Sequence, residues 1–151
     1  MANLKIILKM YDYFGSGRLD LIGSELMDRQ IVWRVPGHHP LAGAHRGPAQ
    51  ALAFIGGIVA SGIVFTDSHY GELDDGTVVE RHLGRATLDG TAIELPTVTT
   101  YGFTGDRIAD VQVHPADQHS LDRYLWAVTA LKPVSERLVD LRTPGSSRRT
   151  S

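Results

Sequence analysis

The sequence predicts an α+β domain, in which helices from the first half of the chain cover one face of a curved, mixed or antiparallel sheet. Apolar residues recur at helical spacing over most of residues 1–62 and at the two-residue spacing of strands over residues 63–114. Two tight-turn sequences, Asp74-Asp75-Gly76 and Asp89-Gly90, separate strands of the second half. Helices followed by strands that meander in this way are typical of an α+β domain.

The first half alternates helices with one strand and one long loop. An amphipathic helix is predicted over residues 4–14, where apolar and charged residues lie on opposite sides and two glycines end the pattern. A shorter helix is expected over residues 19–27, and residues 31–35 alternate like a half-buried strand. Residues 36–47 are expected to form a loop. A third helix is predicted over residues 48–61, with a proline in its first turn and a glycine after its end.

The second half is predicted to contain four strands and a helix. The strands are expected over residues 63–73, 77–88, 92–103 and 107–114. A fourth helix is expected from Ser120, and a short helical piece after Pro133 is expected to end at Leu141.

Length and composition indicate an ordinary globular domain. We expect one domain over residues 1–142 and a disordered tail over residues 143–151, which is rich in Pro, Gly, Ser and Arg. The net charge of −2, with both signs scattered, favours neither nucleic acid nor an anionic membrane as a partner. No apolar run approaches the ~20 residues of a membrane span. The lack of cysteine excludes disulfides and thiol catalysis and fits a reducing cytoplasm.

A sheet that curls around helices on one face leaves a conical cavity, where small molecules tend to bind. In strand 77–88 we assign the inner face to the residues that alternate with Arg81 and Arg85, because two unpaired arginines would be costly inside. Parity places these residues on the inner faces of the three longest strands: Val78, Glu80, His82, Gly84 and Ala86; Ile93, Leu95, Thr99, Tyr101 and Phe103; Ala109, Val111 and Val113. Asp117 continues the last series.

The predicted site combines acid/base groups with flat apolar surfaces. His82 and Asp117 are the candidate catalytic residues, because a histidine can take and return a proton and a carboxylate can orient it or act as a base. The candidate substrate-binding residues are Tyr11, Trp33, His39, His45, Phe54, Thr99 and Tyr101. Each has a plainer interpretation: His82 and Trp33 as core residues, Asp117 as a helix cap, and the histidines of loop 36–47 as surface residues.

A metal site is not predicted. His114, Asp117 and His119 lie close together in the sequence, but Pro115 fixes a local geometry unlike that of a ligand pair on a helix or strand.

Several short motifs form a recognisable pattern over roughly residues 4–126. They are Val32-Trp33-Arg34-Val35-Pro36-Gly37, Pro40-Leu41-Ala42-Gly43 and Arg46-Gly47; Arg81-His82 through Ala86-Thr87, with Asp89-Gly90; and Asp117-Gln118 followed by Leu121 and Tyr124. The pattern resembles the SnoaL-like branch of the nuclear-transport-factor-two-like superfamily. The resemblance implies a cystatin-like α+β barrel, no metal or other cofactor, and homodimers formed through the outer sheet face. On that face Val79, Leu83 and Val98 are expected to form an exposed apolar patch.

The superfamily includes polyketide cyclases, ketosteroid isomerases, limonene-epoxide hydrolases, dehydratases and non-catalytic proteins, so the fold does not fix the reaction. A ketosteroid isomerase would have a tyrosine and a carboxylate where this sequence has Met10 and Arg34. A limonene-type hydrolase would have an Arg-x-Asp pair at the position where this sequence has Arg81-His82-Leu83.

Three functions therefore stay open. The first is cofactor-free acid/base chemistry of cyclase, isomerase or dehydratase type on a small hydrophobic, polyketide- or terpenoid-like molecule. The second is an epoxide hydrolase that activates water, which a carboxylate paired with an arginine on the inner sheet face would favour. The third is a non-catalytic binding module, which a cavity without titratable side chains would favour.

Overall fold

The structure is a computed structural model that describes residues 2–129 of the chain. The short helix expected before Leu141, the domain boundary at residue 142 and the tail over residues 143–151 lie outside the described residues.

The helices occur where the apolar period predicts them. They are α1 (Ala2–Gly15), α2 (Leu19–Leu21), α3 (Gly47–Ser61) and α4 (Gln118–Val128). A single π-helical turn, Ile22–Leu26, continues α2 and leads directly into the sheet. Gly62 ends α3 with φ of 84°, the left-handed conformation that favours glycine.

Six strands form one mixed sheet that does not close on itself. They are β1 (Met27–Val35), β2 (Gly43–Arg46), β3 (Val64–Glu72), β4 (Val78–Leu88), β5 (Thr91–Thr104) and β6 (Arg107–Pro115), in the spatial order β2-β1-β6-β5-β4-β3. Only β1 and β6 pair in parallel; the other neighbours are antiparallel. The predicted α+β class and the one-sided arrangement of helices are confirmed.

Three details of the sheet differ from the sequence prediction. Strand β1 begins at Met27, which was predicted to be helical, and not at residue 31. Residues 43–46, expected to be loop, form β2 and pair with the end of β1. In β6 a bulge follows the pairing of Ile108 with Phe103, and the next pair joins Asp110 to Gly102. Because the bulge shifts the alternation, Ile108 is fully buried, and Ala109 does not begin the inner series as predicted.

The core lies between the helices and the inner sheet face. One cluster joins Ile7 and Met10 of α1 to sheet residues that include Ile31, Val78 and Tyr101. A second cluster packs α4 against β5 through Leu95, Leu121, Tyr124 and Leu125. Each fully buried side chain of this size stabilises the fold by about 1.5–3 kcal/mol. Helix α4 therefore covers the part of the inner sheet face around Leu95.

The loop after β1 is held against α4 by polar contacts. Gln118 Nε2 donates to the carbonyl of Pro36 at 3.2 Å and to Asp122 Oδ1 at 2.8 Å, and the Trp126 indole donates to the carbonyl of His38. Gly37 allows this close approach, since its φ is 111° and a Cβ there would lie 2.2 Å from Gln118 Nε2.

We predict that Gly37→Ala destabilises the protein by roughly 1–2 kcal/mol more than Gly43→Ala. Both glycines have positive φ, 111° and 122°, so the backbone strain is similar, but a Cβ at Gly43 would meet nothing within 4 Å. At Gly37 the Gln118 amide must move and lose two hydrogen bonds, each worth about 1 kcal/mol. Urea unfolding of the two variants measures the difference. Equal losses would show that the contact with α4 contributes nothing.

Candidate functional site

An apolar cavity lies between the inner sheet face and helices α1, α3 and α4. The volume open to the centre of a water molecule is about 100 Å³. Leucine, isoleucine, valine, phenylalanine and tryptophan side chains make up most of its wall. The polar residues that line it are Tyr11, Glu80, His82, Thr97, Thr99 and Tyr101. Such a wall suits a small hydrophobic compound that presents a few polar atoms to one region.

Glu80 is the centre of the polar group. Its side chain is fully buried, and each carboxylate oxygen accepts a hydrogen bond from a tyrosine. Tyr101 Oη lies 2.6 Å from Oε1, and Tyr11 Oη lies 2.5 Å from Oε2. His82 Nδ1 lies 3.4 Å from Oε2. Alternation along β4 puts Glu80 and His82 on the same face, β5 supplies Tyr101, and α1 brings Tyr11 across the cavity.

The contacts keep Glu80 ionised and the tyrosines protonated. Burial acts to raise the pKa of Glu80, but the contacts with His82, Tyr101 and Tyr11 outweigh it, so the pKa lies below its ordinary value of 4.5. Burial, followed by the negative charge of Glu80, raises the pKa of Tyr11 well above 10. Burial, Tyr11 and Glu80 do the same for the pKa of Tyr101. At neutral pH the cavity thus contains one carboxylate anion held by two neutral donors.

His82 lies between this anion and an aromatic wall. Its ring is 4.5 Å from the ring of Phe65, centroid to centroid, and the residue is 8% exposed. Its Nδ1 faces Glu80 but makes no hydrogen bond. A carboxylate beside an imidazole can orient the ring and stabilise its protonated form, which suits a group that exchanges protons with a ligand.

Most of the predicted site residues line the cavity. They are Tyr11, Trp33, Phe54, His82, Thr99 and Tyr101. Trp33 packs against the rings of Phe54 and Tyr101, with centroids 6.0 Å and 6.1 Å away. Their catalytic and binding roles stay predictions.

Asp117 does not line the cavity, and its predicted placement there is wrong. It is exposed at the start of α4, where it accepts hydrogen bonds from the backbone nitrogen of Ser120 at 3.0 Å and from the Ser120 hydroxyl at 2.6 Å. These bonds lower the pKa of Asp117 below its usual value. The strand parity ends at Pro115, so it does not continue to Asp117; the residue is the N-cap of the helix.

His39 and His45 also lie outside the cavity wall. His39 is buried beside α4, where its Nδ1 accepts from the backbone nitrogen of Leu41 at 3.1 Å. Burial lowers the pKa of His39, although Asp122 acts against this. His45 bonds to the Leu41 carbonyl at 2.8 Å and stacks on the outer side of the wall residue Phe54, with ring centroids 5.1 Å apart. Of the two, only His45 contacts a residue of the cavity wall, and neither histidine lines the cavity itself.

Glu80 is the site residue that the sequence analysis did not select. The parity of β4 already placed it on the inner face beside His82. Its two tyrosine partners lie 69 and 21 positions away, so no local pattern indicated that the carboxylate would be satisfied inside the protein.

The described part of the chain contains neither a metal site nor a membrane-spanning helix. Within residues 2–129, no group of three or more His, Asp or Glu side chains could hold a metal ion, and His114 is exposed on the outer side of β6. None of the helices in this range is long and apolar enough to cross a membrane.

Several solved structures share the fold. Bal32a, from a soil-derived mobile gene cassette, is 26% identical over 82% of this chain and 96% of its own, with a TM-score of 0.70. A protein with a cystatin-like fold from Xanthomonas campestris is 19% identical over 83% and 98%, with a TM-score of 0.71. A protein assigned to the SnoaL-like polyketide cyclases, from Jannaschia sp. CCS1, is 18% identical over 83% and 92%, with a TM-score of 0.62. No curated protein sequence matches the chain significantly.

The sequence model of the SnoaL-like domain matches residues 7–111, which is more than half of the chain. The match includes all of β1 to β5 and the residues Tyr11, Glu80, His82 and Tyr101. The Xanthomonas campestris protein, a structural neighbour, has the cystatin-like fold. The chain therefore belongs to the SnoaL-like domain family.

Proposed function

We propose that the protein is a cofactor-independent acid/base enzyme that acts on a small hydrophobic, polyketide- or terpenoid-like molecule, as a cyclase, isomerase or dehydratase. The observation that supports this most directly is the buried Glu80 carboxylate next to His82 in a cavity with otherwise apolar walls. A titratable pair in a water-poor cavity is the usual arrangement for proton transfer to and from carbon or oxygen.

His82 is the group that we propose to move the proton. With Nδ1 beside the carboxylate, Nε2 is the ring nitrogen that can take a proton from the ligand and return it at another atom. Glu80 orients the ring, while Tyr11 and Tyr101 hold Glu80 in place. Trp33 and Phe54 supply apolar surface for the ligand skeleton.

The two alternative functions receive less support. A water-activating epoxide hydrolase would be favoured by an arginine paired with a carboxylate in the cavity, but Arg81 and Arg85 are exposed on the other face of β4, and Arg85 pairs with Glu94 at 2.8 Å. A pure binding module would be favoured by a cavity without titratable groups, whereas this one contains both Glu80 and His82.

We also propose that two copies associate through the outer sheet face. Val79, Leu83 and Val98 lie there, although they are half-buried and not fully exposed as predicted. Their cross-strand neighbours stand beside them: Leu83, for example, is flanked by Thr66 and Pro96. The three apolar residues lie on the neighbouring strands β4 and β5, with Arg81 between Val79 and Leu83 and directly opposite Val98. Apolar side chains on an open sheet face are the observation that favours an interface there.

We predict that His82→Ala and Glu80→Gln each lower turnover roughly 100- to 10,000-fold, as loss of a positioned acid/base group does. The substrate would first be found by incubating the protein with hydrophobic carbonyl compounds and detecting products by chromatography and NMR spectroscopy, since an isomer has the same mass as its precursor. The matched controls are His114→Ala and Asp117→Asn, both at exposed positions, and these should keep wild-type turnover. Full activity in His82→Ala would refute the assignment.

The lowered pKa of Glu80 predicts a specific loss of stability in acid. A carboxylate with a depressed folded-state pKa stabilises the protein fully above its unfolded value, here 4.5, and this contribution disappears as the pH falls through the folded pKa. The melting temperature of the wild type should therefore fall more steeply below about pH 4.5 than that of Glu80→Gln. Glu94→Gln, at an exposed salt bridge, should keep the wild-type slope. Parallel curves for Glu80→Gln and the wild type would contradict the buried charge.

For the assembly, we predict a dimer mass by light scattering at micromolar concentration. Val98→Lys should convert the dimer to a monomer, because it would place a second positive charge directly beside Arg81 in the interface, where neither has an acidic partner across the strand pair. Thr104→Lys, at the exposed end of the same strand, serves as the control and should remain dimeric. A monomer mass for the wild type would exclude the proposed interface.

A further inference from the structure

The indole nitrogen of Trp33 is a buried donor without a partner. Within residues 2–129, these buried side-chain atoms make no hydrogen bond: Trp33 Nε1, His39 Nε2, His82 Nδ1 and Thr129 Oγ1. Two of them belong to residues that line the cavity, Trp33 and His82. His82 Nδ1 at least faces the Glu80 carboxylate, whereas no polar contact involves Trp33 Nε1. Because buried N–H groups are nearly always paired, this one requires an explanation.

The surroundings of Trp33 connect it to the polar end of the cavity. Its ring, which is 6% exposed, meets the Tyr101 ring edge-on at an interplanar angle of 87°, and Tyr101 in turn donates to Glu80. The chain has one other tryptophan, Trp126, and its indole donates to the carbonyl of His38. Among residues 2–129, the protein thus supplies an acceptor to the tryptophan at its surface and none to the tryptophan at the cavity.

We propose that the Trp33 indole N–H binds the ligand, and that the cavity selects hydrophobic compounds with a carbonyl oxygen that accepts this hydrogen bond. The inference rests on the proposed function, since it assumes that a small hydrophobic molecule enters the cavity. An indole N–H can only donate, so the ligand atom must be an acceptor. A carboxylate is disfavoured, because the cavity already contains the anion of Glu80 and a second negative charge would be repelled.

The other donors of the cavity support a specific role for Trp33. Tyr11 and Tyr101 both give their hydroxyl protons to Glu80, so they are occupied. Thr97 donates its hydroxyl proton to the Leu95 carbonyl, so the indole is, with the Thr99 hydroxyl, one of two uncharged donors left for a ligand oxygen. When His82 removes a proton from the carbon next to a carbonyl, the C–H electron pair moves into the new carbon–carbon double bond and the oxygen gains negative charge. A donor already in place at that oxygen stabilises the charge as it develops.

The test uses two probes of nearly equal shape, α-tetralone and tetralin, which differ by the carbonyl oxygen. In ¹H–¹⁵N spectra of the wild type, α-tetralone should move the Trp33 indole proton downfield, and tetralin should not. The Trp126 indole, which already has its partner, is the internal reference. Loss of one indole peak in Trp33→Phe assigns the signals.

A binding cycle gives the second readout. The ratio of the dissociation constants of tetralin and α-tetralone should fall about fivefold to tenfold in Trp33→Phe, as expected for one hydrogen bond. Because both probes are measured on each protein, effects that act equally on the two probes cancel in this ratio. These include the lower polarity of phenylalanine and the space left by its smaller ring. If Trp33→Phe does not fold, the response of the Trp33 indole proton to the two probes in the wild-type spectra tests the proposal.

The outcomes separate the two proposals. One outcome refutes the role of Trp33 and leaves the proposed acid/base function standing. In it, both probes bind, both shift the Trp33 indole proton equally, and the ratio of their dissociation constants is the same in the wild type and in Trp33→Phe. If neither probe binds the wild type, both proposals are contradicted.

Discussion

The buried carboxylate of Glu80 is the interaction on which the cavity depends. An ionised carboxylate without partners is very costly inside a protein, and here the side chain has no exposed surface. Two tyrosine hydroxyls and the nearby ring of His82 offset that cost, because hydrogen bonds to a charged group are stronger than those between neutral groups. These partners come from α1, β5 and β4. Satisfying a single charge therefore fixes the first helix against the middle of the sheet.

The same interaction leaves the cavity with a defined polarity. The polar side chains gather around Glu80, while Trp33, Phe54 and the aliphatic residues form the rest of the wall. Gly84, two residues beyond His82 on the same face, also lines the cavity. A Cβ there would lie 3.2 Å from Ile63 Cγ2 and 3.3 Å from the Leu95 carbonyl oxygen, so even a small side chain would press on its neighbours. The glycine thus allows Ile63 and the Leu95 backbone to pack closely against β4 in this part of the wall.

Helix α4 covers the part of the inner sheet face around Leu95. Tyr124 Oη donates to the carbonyl of Ser61 at 2.5 Å, which ties α4 to the end of α3, and Leu121 and Leu125 reach the cavity wall. Asp117 contributes by capping this helix, and Gln118 by bonding to the loop after β1. The polar residues near the start of α4 thus act as structural supports of the cavity, at a distance from its chemistry.

The sequence by itself determined the helices, the long strands, and which residues of β1, β4 and β5 face inward. Alternation is a local property, since side chains of a strand point to opposite faces whatever the strand pairs with. This is why Trp33, His82, Thr99 and Tyr101 could be placed correctly, and why Glu80 was already on the right face.

Only the tertiary structure decided which of these residues meet. The strand β2 carries no apolar alternation and exists because β1 offers it an edge, and the bulge that turns Ile108 inward depends on the register with β5. Tyr11 reaches Glu80 across 69 positions of sequence. Asp117 lies outside the predicted site because the strand has ended before it and its carboxylate instead accepts a hydrogen bond at the start of α4. Each of these outcomes depends on contacts between distant segments, and a periodic pattern contains no information about such contacts.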